Sequence, residues 1–218
     1  MTMIQQAQLF ETSNHIPNRN REWFLSVGYD QDEILRSISI LHNAGNPFEC
    51  DPTYSKGVFY RNFPEPRLKF DLVPQLPEVR QADCRALPLA GASVQSIMFD
   101  PPFVMSGDTH KEIKTGKIMD RFSCFQNYKE LTALYYPAIF EMYRILKPGG
   151  LLVFKCQDSV SSGQQYMTHI DTTTWAQEAG FYAKDLFILI NSNLLMGPFW
   201  KNQQHARKAH SYFLVFRK

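Results

Sequence analysis

Four short extended segments in the first hundred residues each run into an aspartate: 47–51, 68–71, 78–83 and 94–100. Helical or loop sequence separates them. Strands alternating with helices predict a mostly parallel sheet with both faces covered. In such a sheet the carboxyl ends of the strands share one edge, and ligands bind there, near the point where the strand order reverses. The pattern therefore gathers Asp51, Asp71, Asp83 and Asp100 on one rim.

The segments between and beyond these strands fit that plan. Asp30-Gln31-Asp32-Glu33 opens an amphipathic helix in which Ile34, Leu35, Ile38 and Leu41 form the apolar stripe. Acids at its start suit the helix dipole, and Gly45-Asn46-Pro47 ends it. Residues 128–146 repeat apolar side chains at three and four: Leu131, Leu134, Tyr135, Ala138, Ile139, Met142 and Ile145. Pro137 within that run predicts a kink, and Lys147-Pro148-Gly149-Gly150 a stop before an apolar strand over 151–155. A helix is expected over 171–179, capped by Asp171 or Thr172 and ended by Gly180. Residues 185–190 and 212–216 read as a final antiparallel pair. Residues 1–28 read as an extension pinned by Trp23, Phe24 and Leu25, and residues 29–218 as the domain.

Composition excludes several classes of function. With 23 Lys+Arg against 21 Asp+Glu, the net charge of +2 creates no whole-surface field for a polyanion. No apolar run reaches the roughly 18 residues of a membrane helix, and the polar start MTMIQQAQLFETSNH lacks a secretory pattern. The expected compartment is the cytoplasm. Cys50, Cys84, Cys124 and Cys156 form no C-x-x-C pair, so free thiols are expected rather than a zinc site or disulfide framework. The six histidines show no H-E-x-x-H spacing, and no metal is expected.

Asp100-Pro101-Pro102-Phe103, directly after an apolar strand, resembles the D-P-P-[YF] motif of N6-adenine and N4-cytosine methylases. Ala82-Asp83, the turn Leu146-Lys147-Pro148-Gly149-Gly150 and the tail His210-Ser211-Tyr212-Phe213 are similar to the flanking motifs of the same family. This family is the class I S-adenosylmethionine-dependent methyltransferases acting on amino groups of nucleic-acid bases. The resemblance implies a Rossmann-like α/β fold, a mostly parallel seven-stranded sheet with a C-terminal antiparallel hairpin. It implies S-adenosylmethionine as cofactor and nucleic acid as partner, DNA ahead of RNA. The chain departs from the family at the cofactor loop. Where the family reads D-P-F-x-G-x-G, this chain reads Asp51-Pro52-Thr53-Tyr54-Ser55-Lys56-Gly57 and keeps only the last glycine.

The site residues follow from the motif. The resemblance places Asp51, Pro52, Tyr54, Ser55 and Gly57 around the cofactor's amino-acid end, and Asp83 with Cys84 near its adenine. Asp71 ends the second strand, where an acid accepts from ribose hydroxyls. An exocyclic amino group is a poor nucleophile, because its lone pair is delocalised into the ring. Asp100 and the Pro101 carbonyl are the acceptors that would localise it, Pro101-Pro102 stiffens the corner, and Phe103 would stack on the base. Basic side chains on two loops are the candidates for phosphate contact: Lys111, Lys114, Lys117 and Arg121 in the loop over 104–127, and Lys201, Arg207 and Lys208 near Phe199 and Trp200. Residues 161–163 read as a turn ahead of the alternative, a segment that closes one wall of the site. The chain is too short for a large target-recognition domain, which leaves room for an oligomer or a specificity subunit. Two other readings stay open: an RNA adenine-N6 or guanine-N2 methylase, and a silent methyltransferase-like subunit that binds nucleic acid.

Overall fold

The computed structural model describes residues 23–105, 125–191 and 204–218. Among these, the strands are β1 (Val27–Gly28), β2 (Cys50–Asp51), β3 (Leu68–Asp71), β4 (Arg80–Gln81), β5 (Val94–Phe99), β6 (Leu146–Cys156), β7 (Ser159–Ser161), β8 (Gln164–Tyr166), β9 (Tyr182–Ile190) and β10 (His210–Arg217). The helices are α1 (Gln31–His42), α2 (Tyr128–Ile145) and α3 (Thr168–Ala179), with a 3-10 turn at Val58–Tyr60.

Side-chain alternation along the long strands explains the layering. On β5, β6 and β10, Ile97, Phe99, Leu152, Phe154, Leu214 and Phe216 enter one buried cluster, with Tyr135, Ile139 and Met142 of α2 and Ala176 of α3. The alternate residues Met98, Leu151, Val153, Phe213 and Val215 enter a second cluster, with Ile34, Leu35 and Ile38 of α1. A sheet buried on both faces has no polar side, and each fully buried Leu, Ile or Phe contributes about 1.5–3 kcal/mol.

The main sheet has the order β1-β9-β10-β6-β5-β2-β3-β4. β2 pairs in parallel with β3 and β5, β3 with β4, and β5 with β6. β10 runs antiparallel between β6 and β9. From β2 the chain winds outward through β3 and β4, then returns to β5 on the other side of β2. The order thus reverses between β2 and β5. Apart from the two-residue edge strand β1, this is the expected seven-stranded sheet with its antiparallel C-terminal strand.

Local structure departs from expectation at several points. Asp30 caps α1 by accepting from the Asp32 N–H at 2.7 Å. Leu41 is exposed, however, and His42 takes the inward position, its Nε2 2.9 Å from Asp185 Oδ2. Asn127 caps α2, which runs on through Pro137. Residues 146–150 already belong to β6: the Gly149 N–H donates to the Lys218 carbonyl at 2.9 Å, and the Lys218 N–H to that of Gly150 at 3.1 Å. Helix α3 begins at Thr168, earlier than expected, because Asp171 accepts from the Tyr128 hydroxyl instead of capping. Gly180 closes α3 at φ 105°.

Residues 159–166 form the hairpin β7–β8, which periodicity did not reveal; Ser162 and Gly163 make its left-handed turn. Trp23 and Leu25 are exposed and Phe24 is half-buried; residues 1–22 lie outside the described residues. The backbone holds this part of the chain: the Ser26 carbonyl accepts from the Ile188 N–H at 2.7 Å, and β1 lies parallel to β9. No described helix is long and apolar enough to cross a membrane.

Candidate active site

The parallel strands carry all four aspartates to one edge. Asp51 and Asp71 are the last residues of β2 and β3, Asp83 follows β4 by two residues, and Asp100 follows β5 directly. Asp51 and Asp100 flank the reversal in strand order, the place where an open α/β sheet leaves a crevice.

Asp51 is buried and fully engaged. Its Oδ1 accepts from the Thr53 N–H at 2.7 Å and the Thr53 hydroxyl at 3.3 Å, and its Oδ2 from the Tyr60 hydroxyl at 2.7 Å. Burial pushes its carboxyl up to about 7; the charge of Asp100 adds to the rise, and the bonds from Thr53 and Tyr60 oppose it. Pro52 is buried beside it.

The loop after Asp51 keeps the backbone shape that glycines would supply. Ser55, where the family has glycine, sits at φ 53°, and Gly57 at φ 67°. A non-glycine residue in this region costs about 1–2 kcal/mol. The Ser55 N–H donates to Asp71 Oδ2 at 2.9 Å, which ties the turn to the neighbouring strand end. Gly57 is irreplaceable for a second reason: a Cβ there would lie 2.7 Å from Tyr54 Cζ. Tyr54, expected to line the cofactor site, turns inward, buried and stacked on Tyr60 at 5.7 Å. It shapes the loop from beneath.

Asp71 also accepts from the Val73 N–H, at 2.8 Å, and Leu72 and Val73 stand exposed beside it. Asp83 is clasped by Arg85, whose Nη2 lies 2.6 Å from Oδ2 and whose backbone N–H donates to Oδ1 at 2.9 Å. The Arg85 guanidinium holds this carboxyl below its usual range. Cys84 is buried in the core, and burial pushes its thiol up to about 12.

The Asp100–Phe103 corner is fastened from α2. The Tyr135 hydroxyl donates to the Pro102 carbonyl at 3.0 Å. Beyond it, the Phe125 N–H donates to the Val104 carbonyl at 3.0 Å, and Met105 bridges to Phe125, closing the base of the loop. Pro101 is buried, while Pro102 and Phe103 are half-buried. Asp100 Oδ1 is buried without a hydrogen-bond partner, and Oδ2 lies 3.6 Å from the ammonium group of Lys155. Burial raises the Asp100 carboxyl, and Lys155 draws it back down.

Lys155 lies outside the residues expected to form the site. It occupies a position on β6 in phase with the buried Leu151 and Val153, where the pattern demands an apolar side chain. A charge placed in that phase was the available signal. Tyr135 looked like an ordinary core residue, and nothing in its spacing marked its hydroxyl.

Of the basic candidates, Arg207 is exposed and Lys208 half-buried, on the stretch leading into β10. His205 Nε2 lies 2.9 Å from the Gly163 carbonyl, joining this stretch to the β7–β8 turn. Lys111, Lys114, Lys117, Arg121 and Lys201, with Phe199 and Trp200, lie outside the described residues. Among the described residues no cluster of His, Cys, Asp or Glu could hold a metal ion.

The family model for a DNA methylase matches residues 94–218, more than half of the chain. The chain belongs to the DNA methylase family. The match begins with β5, so the corner at Asp100 lies inside it and the loop at Asp51–Gly57 lies before it.

Solved structures similar to this methylase include a candidate DNA modification methylase from Thermus thermophilus in complex with S-adenosyl-L-methionine. It is 22% identical with a TM-score of 0.43, over 63% of this chain and 53% of that one. The PvuII cytosine-N4-specific DNA methyltransferase is 18% identical with a TM-score of 0.45, over 63% and 48%. TrmN, also from Thermus thermophilus, is 15% identical with a TM-score of 0.46, over 86% and 48%. The matched part of this methylase spans about half the length of each of these proteins. No curated protein matches the chain.

Proposed function

We propose that this methylase moves a methyl group from S-adenosylmethionine to an exocyclic amino group of a base in DNA, adenine N6 ahead of cytosine N4. The observation that carries this reading is the state of Asp100. A carboxylate that the fold leaves short of hydrogen-bond partners, its side chain partly exposed at a proline-stiffened corner, supports an acceptor role toward a ligand. Unsatisfied buried acceptors cost about 1–3 kcal/mol and persist where function needs them.

The residues at the rim fit the cofactor. Asp71 makes two bonds to backbone N–H groups, and a carboxylate offers about four acceptor positions, so capacity remains for ribose hydroxyls. The exposed Leu72 and Val73 offer an apolar ledge to adenine. Asp51 and the left-handed turn at Ser55 and Gly57 would hold the amino-acid end. Tyr54 and Cys84 contribute through the backbone they position. When bound, S-adenosylmethionine supplies an electrophilic methyl group, whose C–S bond breaks as the N–C bond forms.

The chain's own part is to make the nitrogen reactive. Asp100 and the Pro101 carbonyl accept the two amino hydrogens and so concentrate the lone pair on nitrogen. The Pro102 carbonyl accepts from Tyr135, which supports Pro101 rather than Pro102 as the second acceptor. As positive charge develops on nitrogen, Asp100 stabilises it and faces the proton the nitrogen must shed. Phe103 stacks on the base, and the basic loops bearing Lys111, Lys114, Arg121, Lys201, Arg207 and Lys208 meet phosphates.

Incubation with cofactor labelled in the methyl group tests the reading, with DNA and total RNA as separate substrates. N-methylated adenine or cytosine in the DNA digest is the expected product. Label confined to RNA replaces DNA as the substrate, and label in neither overturns the reading.

A further inference from the structure

The buried ammonium group behind Asp100 has no place in the scheme above, yet its surroundings are specific. Lys155 Nζ donates to Gln31 Oε1 at 2.9 Å. It lies 4.9 Å from the ring centroid of Phe59 and 5.4 Å from that of Phe213. It also lies 3.6 Å from Asp100 Oδ2. Gln31 is itself fixed, because its Nε2 donates to the Phe59 carbonyl at 3.1 Å. The ammonium group thus sits in a cage of two aromatic faces, an amide oxygen and one carboxylate. Aromatic faces attract a desolvated cation by up to about 2 kcal/mol but supply no proton acceptor. Among the described residues, Asp100 is then the one anion that this cage offers the lysine.

A second feature gives the pairing a purpose. Asp100 is half-hidden from water and shares the crevice with another carboxylate, Asp51. Like charges at close range in a dry site cannot both stay ionised without a counter-ion. Among the described residues, the titratable groups that feel the charge of Asp100 or act on it are Asp51 of β2, Tyr60 of the 3-10 turn, Tyr135 of α2 and Lys155 and Cys156 of β6. Lys155 is the only cation in that set.

We infer that Lys155 is a positioning residue for methyl transfer: caged by Gln31, Phe59 and Phe213, it holds Asp100 as a carboxylate at the corner proposed to meet the target amino group. The inference rests on the amino-methylation reading. A protonated Asp100 would present an O–H donor on one oxygen and lose the acceptor strength that the amino group requires. Lys155 keeps the acid in its accepting form from 3.6 Å, while part of the Asp100 side chain stays exposed. Gln31, from the first turn of α1, makes the N-terminal helix part of the catalytic support.

The test measures the Asp100 carboxyl and the transfer reaction separately. In protein labelled with 13C at aspartate Cγ, the Asp100 signal is assigned by its loss in Asp100→Asn and followed across pH. Lys155→Met is expected to move the Asp100 titration up by roughly 1–3 pH units. The acid limb of kcat should move with it, while the cofactor Kd stays within about threefold. Lys155→Arg keeps the charge and should leave the titration near its original place. If Lys155→Met does not fold, Gln31→Leu loosens the cage and is expected to shift the same signal in the same direction by less. An Asp100 titration unmoved in Lys155→Met, or in Gln31→Leu where Lys155→Met does not fold, or an acid limb that ignores Lys155, overturns the inference. A wild-type protein that transfers no methyl group overturns the function reading instead, and the 13C titration still decides whether Lys155 sets the state of Asp100.

Discussion

The Tyr135 hydroxyl, deep within α2, donates to the Pro102 carbonyl at 3.0 Å. A helix packed through the core therefore fixes the second proline of a corner whose first proline and aspartate point at the rim. Tyr135→Phe removes only that bond. Stability should fall by about 1 kcal/mol, read as a lower melting temperature. Methyl transfer should fall roughly tenfold to a hundredfold, because small displacements of a positioned group are costly. Unchanged kcat would show that the corner holds its shape without this bond.

Asp100→Ala separates chemistry from binding. Transfer should drop by about 10²-fold or more, the scale expected for a preorganised electrostatic group. Calorimetry should find cofactor affinity nearly unchanged, since the groups proposed to hold the cofactor lie on β2 and β3. Retained turnover would remove Asp100 from the mechanism.

The buried Asp51 makes stability depend on pH in a definite direction. Burial raises its carboxyl from 3.8 to about 7 in the folded protein. Between those values the folded state keeps a proton that the unfolded chain has released. Its contribution to stability therefore falls as pH rises through this window and levels off above it. In Asp51→Asn the Tyr60 hydroxyl can rotate to accept from the new amide, and this slope disappears. Melting curves from pH 4 to 8 should show the variant gaining on the wild type up to about pH 7. Parallel curves for the two proteins would mean that Asp51 titrates as an ordinary acid.

The two left-handed residues of the cofactor loop should respond in opposite ways to substitution. Ser55→Gly relieves a backbone cost and should leave stability unchanged or raise it by up to about 1 kcal/mol. Gly57→Ala combines positive φ with a clash against Tyr54 and should cost about 1–3 kcal/mol. Thermal melting of both variants checks the pair, and the reverse order would refute the described turn.

Much of this architecture was legible as pattern. Short extended runs with terminal acids marked β3 and β5, and the apolar stripes marked α1 and α2. The resemblance of Asp100–Phe103 placed the chain in its family, which the match over residues 94–218 shows. Features set by single hydrogen bonds were not legible. Asp171 reads as a cap, yet it bonds a tyrosine from another helix. Residues 159–166 are too short and too polar to show a period. Ser55 departs from the glycine pattern in identity while keeping its backbone shape. Tyr54 reads as a ligand residue because spacing cannot say which way a ring turns, and in the fold the ring covers Gly57.

The reversed direction of β10 also has a practical consequence. It carries Lys218 to the end of the sheet opposite the four aspartates, where that residue laces onto Gly149 and Gly150. A surface anchor or affinity handle joined there would hold the molecule by its back. The acid-lined crevice would then face solution, in the orientation needed for assays on immobilised protein with long duplexes.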